Sequence, residues 1–320
     1  NGTKLNENYD PTDPTTWGTT NEEGESTITW LEVTTGEGED EVTLQYLLTF
    51  NAPASDLCGQ LDLSGCKFLR EVDVSESAIQ QLDCSGNRLT ELNASGCGFL
   101  MNLVCGNNQL TALELANCRR LATVDCSGNQ LTALNLSATN ALMTLNCENN
   151  RLSTLTFNST GYPIHVDCSG NQLTELNTDT MQFTRYLDCS DNQLTSLNVR
   201  NCSMLETFSC QGNKLKELNF SSSGKYRALS LTAIGGGYVS YAMEQKEDGA
   251  TTYTVVATPV EGSVFQGWYT NRNCTTLVTT NSTIDVTEIA PADAKDYYAK
   301  FDEGGGEVEV PKGYNVNDYL

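Results

Sequence analysis

The sequence predicts a mainly β protein: a solenoid of short coils stacked on a parallel strand ladder, with a second β module after it. Three observations carry that reading. Asparagine recurs every 21 residues at Asn87, Asn108, Asn129, Asn150, Asn171, Asn192 and Asn213. A second beat, half a period after the apolar residue that stands five before each asparagine, falls at Leu92, Leu113, Leu134, Leu155, Leu176, Leu197 and Leu218. Beyond residue 224 the period stops, and alternating apolar runs punctuated by glycine and asparagine take over, the pattern of strands and turns.

Taken in order, residues 1–25 read as a disordered acidic leader. Residues 1–57 hold twelve carboxylates and one lysine, with Pro11 and Pro14 among Thr, Asn and Gly, too little apolar surface to order the first part. The stretch resembles the polar spacer behind the export signal of bacterial surface proteins, and a plain disordered leader explains it equally well. No charged-then-apolar signal opens the chain, so any export signal is expected to have been removed. Residues 26–60 read as an N-terminal cap: Ile28, Trp30 and Val33, then Val42, Leu44, Tyr46, Leu48 and Phe50, flank a Gly-Glu-Gly-Glu-Asp turn and predict a hairpin.

Residues 61–224 carry the repeat. Around each asparagine stand an apolar residue five positions before, a cysteine three before and a leucine two after. Leu121, Val124, Cys126, Asn129 and Leu131 show the full frame, which matches the leucine-rich-repeat segment with Cys in place of its third Leu. Val124 and Cys126 are two apart and point to one side of a strand, the core. Thr123, Asp125 and Ser127 are expected on the other side, toward solvent. The turn that follows buries backbone groups, and an asparagine amide supplies both a donor and an acceptor to every coil. Two extended segments of about 10 residues leave no room for an ordinary helix, so the solenoid is expected to be all β or β plus irregular chain. Pro163 and Thr184 replace the first leucine of their coils and are expected to loosen packing there. These features resemble the extracellular bacterial leucine-rich-repeat proteins related to internalins.

Residues 225–302 read as the second module. Gly235-Gly236-Gly237-Tyr238, Tyr253-Thr254-Val255-Val256-Ala257-Thr258-Pro259, Gly267-Trp268-Tyr269 and Tyr297-Tyr298-Ala299-Lys300-Phe301 resemble the B-repeat of internalin-type surface proteins. That resemblance implies a small β-grasp-like C-terminal module, acting as a spacer or a second contact. Leu229 and Leu231 stand 21 residues after Phe208 and Cys210, so a strand over 227–232 is expected to keep the solenoid's register and cap its last coil. Residues 303–320 read as a tail or linker.

Composition narrows the function. The 320 residues carry a net charge of -23, which repels phosphate backbones and anionic lipid, and no apolar stretch approaches membrane-spanning length. Nucleic acid and direct membrane insertion are therefore not expected. Thirteen cysteines in an exported chain invite disulfides. Seven of them, Cys84, Cys105, Cys126, Cys147, Cys168, Cys189 and Cys210, fill the inward repeat position and are expected to be reduced. Metal ligands must converge, whereas this column is strung along an axis at about 4.8 Å spacing. Cys58 with Cys66 is the pair expected to cross-link. No cofactor or metal is expected, since calcium bridging between Asp167 and Asp188 is weakened by neutral neighbours.

Enzymatic activity is not expected. His165, the only histidine, falls at an outward strand position without an arranged nucleophile, and the strand ladder offers no cleft for paired carboxylates. The candidate binding residues are instead the outward columns of a concave strand face. One column runs through Gln81, Asn102, Thr123, Thr144, His165 and Tyr186, and the next through Asp83, Asp125, Asn146, Asp167 and Asp188. The resemblance and the rigidity of such a face imply an adhesin-like secreted or bacterial cell-surface protein whose partner is a protein, with acidity favouring a basic one. A glycan ligand, held by Tyr186, Asn102, Gln81 and the carboxylates, and a structural scaffold without a ligand remain the alternatives. The plainest reading of the columns themselves is a solvated face.

Overall fold

The computed structural model describes residues 27–35, 42–53, 57–219, 229–245, 251–286 and 295–302. The leader over 1–25 and the tail over 303–320 lie outside the described residues. Every regular element within them is a strand. The chain opens with β1 (Thr27–Thr35) and β2 (Val42–Asn51), which pair antiparallel as the expected hairpin. Then come β3 (Cys58–Asp62), β4 (Glu71–Asp73), β5 (Ala78–Asp83), β6 (Glu91–Asn93), β7 (Asn102–Val104), β8 (Thr123–Asp125), β9 (Ala133–Leu136), β10 (Thr144–Asn146), β11 (Thr154–Phe157) and β12 (His165–Asp167). The solenoid ends with β13 (Tyr186–Asp188), β14 (Ser196–Asn198), β15 (Thr207–Ser209) and β16 (Glu217–Asn219). The second module holds β17 (Leu229–Ile234), β18 (Gly237–Gln245), β19 (Thr251–Pro259), β20 (Phe265–Tyr269), β21 (Leu277–Thr279), β22 (Thr283–Asp285) and β23 (Lys295–Phe301).

The 21-residue beat becomes an unbroken parallel ladder, β3-β5-β7-β8-β10-β12-β13-β15, in register from coil to coil after a bulge between Gly59 and Gln60 where β3 meets β5. Its strands are short and centre on the buried residue before each Asp, such as Val124 in β8. The strand stops there because one carboxylate oxygen of Asp125 accepts the backbone N–H of Ser127 at 3.0 Å and its hydroxyl at 2.7 Å, a side-chain turn that competes with the ladder. Ser127 is thereby drawn in and buried, not turned out as the strand alternation predicts. The half-period beat forms a second sheet in pieces, β2-β4-β6, β9-β11 and β14-β16. It breaks at Leu113, where only an isolated bridge joins Asn93 to Glu114, and again at Leu176.

Between the sheets lies the core, a continuous stack of leucine and cysteine. Leu103, Val124, Leu145, Val166, Leu187 and Phe208 are fully buried, as are six of the column's cysteines behind them from Cys105 to Cys210. The asparagine column closes each turn. Asn129 donates from Nδ2 to the carbonyls of Cys105 and Cys126, both at 3.0 Å, and its Oδ1 accepts the N–H of Leu110. Asn108, Asn150, Asn171, Asn192 and Asn213 repeat the pattern one coil along. The residue before each is left-handed and reads Gly86, Asn107, Gly128, Asn149, Gly170, Asp191, Gly212, all types that tolerate positive φ. Glycine alternates because the Asn107 side chain folds over Gly128, where a Cβ would sit 2.8 Å from its Oδ1.

Three expectations need correction. Pro163 and Thr184 do not loosen the stack: both are buried, and the Thr184 hydroxyl donates to the Pro163 carbonyl at 2.6 Å, so the polar replacement is satisfied in the next coil. Cys58 and Cys66 are thiols, the first exposed at the start of β3 and the second half-buried beyond the turn. The strand after the solenoid does not keep its register. β17 runs antiparallel to β16, with Leu218 opposite Leu231, while β18 covers the last ladder strand through Ser209 and Ala242. Both sheets thus continue into the second module. Lys216 fastens the junction, its Nζ donating to the carbonyls of Gly235 (2.9 Å) and Gly237 (2.6 Å) beneath the Tyr238 ring. Within the module β17 pairs parallel with β23, and fully buried Trp268 lies edge-on to Phe265 and Tyr297 with its indole N–H on the Ser282 carbonyl.

Candidate binding face

The ladder register sets the candidate residues side by side. Gln81, Asn102, Thr123, Thr144, His165 and Tyr186 form one row of in-register partners, and Asp83, Val104, Asp125, Asn146, Asp167 and Asp188 the next. All are half-buried, because each stands beside identical positions above and below and on a strand whose central residue is fully buried. The two rows therefore form one continuous surface. At its C-terminal end His165 and Tyr186 stack ring on ring, 4.0 Å between centroids and 5° from parallel.

The carboxylate row has a role that sequence spacing did not reveal. Asp83, Asp125, Asp167 and Asp188 each hold both the N–H and the hydroxyl of a serine two residues on. Where the row lacks Asp the serine goes too: Asn146 accepts from the Glu148 N–H, and Val104 is followed by Gly106. Each Asp is thus both a turn-forming group and part of the exposed face. The same device, built mostly on asparagine, ends second-sheet strands at Asn93 and Asn198 and recurs at Asn135, one residue before the end of β9.

The charge is concentrated in three neighbouring coils. Burial, with Asp167, Asp125 and Asp188 nearby, raises the Glu148 carboxyl above the ordinary range. Burial also raises Asp188, which Asp167 and Asp191 reinforce and the Ser190 hydrogen bonds oppose. The Tyr186 hydroxyl is pushed up to about 12 by burial and then by Asp167, Asp188 and Glu148. Among the described residues the ion pair is Arg185 with Glu206, 3.3 Å apart. No three His, Cys, Asp or Glu side chains among them are grouped to hold a metal ion.

Sequence reading missed the strip beside the ladder. Phe99, Tyr162, Phe183 and Met204 stand three residues before a ladder strand, and Met101 and Met143 immediately before one; all six are 38–50% exposed. The signal was in the sequence as another 21-residue column, Phe99, Arg120, Ala141, Tyr162, Phe183 and Met204, masked by the arginine and alanine within it. On the opposite face a cleft of about 620 Å³ opens where the second sheet breaks, between β11 and residues 175–180.

The thiols are set apart from this surface. No disulfide joins any of the thirteen cysteines. Burial pushes Cys126 and Cys210 up to about 12, so the reactive thiolate is suppressed. Cys147, Cys168 and Cys189 donate at 3.4 Å to carbonyls of the following coil.

No curated protein matches the chain. Among solved structures, the functional domain of InlJ from Listeria monocytogenes, described as including a cysteine ladder, aligns over 80% of this chain and 71% of its own. Its identity is 16% and its TM-score 0.33. Residues 227–305 match the family model of the divergent InlB B-repeat domain. The chain joins a solenoid of 21-residue coils, shown by its repeat and ladder register, to a module similar to a divergent InlB B-repeat.

Proposed function

We propose that the chain is a non-enzymatic secreted or cell-surface binding protein that takes a protein partner on its ladder face. The observation that carries this reading is the unbroken in-register surface from Gln81 to Asp188, held rigid by a fully buried residue at the centre of each strand from β7 to β13. A partner meeting it loses little free energy to ordering side chains or loops. The similarity of residues 227–305 to a B-repeat supports an exported setting. The thiol column does not conflict with that setting, since thiols that are buried and held protonated are shielded from oxidation.

The test is a parallel screen of the full chain against arrays of surface-protein ectodomains and of glycans. Two variants accompany it: Thr144→Arg, in the middle of the ladder face, and Thr156→Arg, exposed on β11 of the second sheet. A protein hit weakened by about tenfold or more through Thr144→Arg alone is the expected result. Sensitivity to Thr156→Arg alone moves the site to the second sheet, and hits confined to glycans replace the protein reading with a glycan one.

A further inference from the structure

We infer that the centre of recognition is an apolar ridge beside the ladder, and that it takes a protein segment presenting large apolar side chains next to Lys or Arg. The inference rests on the binding function proposed above and specifies its partner. Six large apolar side chains, Phe99, Met101, Met143, Tyr162, Phe183 and Met204, are each at least 38% exposed along one edge of the same sheet. Scattered exposed apolar residues are ordinary, but Met143, Tyr162, Phe183 and Met204 occupy four successive coils, separated from Phe99 and Met101 by the coil of Arg120 and Ala122, and such a run marks an interaction site. Tyr162 and Phe183 pack edge to face at 5.2 Å, which fixes both rings without burying them. Anchors of this kind, aromatic and held in place before binding, dominate interface energetics.

The ridge is not uniform, and its richest part coincides with the strongest negative charge. At its N-terminal end Arg120 stands over the Phe99 ring at 5.0 Å, so that face is already occupied. Further along, Met143, Tyr162 and Phe183 precede β10, β12 and β13, the strands that end in Asn146, Asp167 and Asp188, with Glu148 just beyond. The stacked His165 and Tyr186 lie between the apolar edge and the acidic edge. Between the two edges lie the three strand residues of β12, about 10 Å of extended chain, the reach of a few extended residues of a partner. Among the described residues no cation pairs with Glu148, Asp167 or Asp188, whereas a lysine or arginine from a partner would. Charge complementarity therefore selects a basic apolar segment. A second copy of this chain is a poor occupant, since each copy carries a net charge of -23.

The test uses the full chain, immobilised, and a random-peptide phage library. Selected peptides should be enriched in Trp, Phe, Leu or Met adjoining Lys or Arg. Synthetic copies should lose at least about tenfold in affinity on Tyr162→Ser with Phe183→Ser, and should weaken as salt is raised. Circular dichroism checks that these half-exposed sites leave the fold intact. Peptides without the basic apolar signature, or unaffected by the double serine variant, overturn the ridge. If such peptides still lose affinity on Thr144→Arg, the ladder-face function survives; if neither variant matters, both readings fall. Sedimentation showing a dimer that Phe183→Ser dissolves would instead make a second copy the occupant.

Discussion

Asn129→Ala tests the interior asparagine column against its own end. The substitution orphans the buried N–H of Leu110, which has Asn129 Oδ1 as its acceptor. It also takes one of two donors from each of the Cys105 and Cys126 carbonyls, which keep Asn108 and Asn150 respectively. An orphaned buried donor costs about 1–3 kcal/mol and a shared acceptor less, so the loss should be roughly 2–4 kcal/mol. Asn87 provides the control. Its Nδ2 donates to Leu63 and Cys84, but its Oδ1 is buried without a partner because the column begins there. Asn87→Ala orphans no N–H and should cost about 1 kcal/mol less or better. Urea unfolding followed by circular dichroism measures both, with a single transition as the condition for comparing them. Equal losses, or a loss below about 0.5 kcal/mol at Asn129, would refute the assignment of the column as backbone-satisfying.

Further outcomes follow from the same geometry. Leu145→Ala, at a fully buried site in β10, should destabilise by about 2–5 kcal/mol in the same assay. Gly128→Ala should be destabilising, because φ is +61° and the new Cβ would meet the Asn107 side chain at 2.8 Å; the double variant with Asn107→Gly should recover part of the loss. Alkylation of the native protein read by mass spectrometry should label exposed Cys58 and spare Cys126 until denaturant is added, and a Cys126–Cys147 disulfide would contradict the thiol column. Asp188→Asn should keep the turn, as Asn146 does, while removing a charge. The folded Asp188 value lies above 3.8, so its stabilising contribution is fully present below 3.8 and is lost as pH rises through the folded value. The variant should therefore flatten the melting temperature against pH over that window, and an unchanged profile would contradict the burial of Asp188.

How much of this was legible depended on whether a residue's role repeats. The 21-residue spacing announced the ladder, the inward Leu and Cys columns and the asparagine turns, because identical coils must solve the same burial and hydrogen-bond problem each time. Departures in single coils were harder. Pro163 looked like a defect until Thr184, one coil on, was found to bond its carbonyl. The Asp row looked like solvated charge because alternation assigns sides but does not say where a strand stops; the Asp-x-Ser bonds stop it. The junction misled for a related reason: Leu229 and Leu231 fit the period, yet after residues 220–228 the chain returns antiparallel along β16 instead of rising another coil. The apolar ridge lay in a column whose members change character from Phe99 to Arg120 to Ala141, and periodicity shows only what stays the same.

Hydroxyl-radical footprinting of the full chain, alone and saturated with a protein from the ectodomain array, tests the ladder face most directly. His165 and Tyr186 on that face should be protected by the partner, while Phe157 on the second sheet and exposed Leu277 in the C-terminal module should oxidise as in the unbound chain. Protection of Phe157 or Leu277 with His165 and Tyr186 unchanged would contradict the assignment of the ladder face as the binding surface.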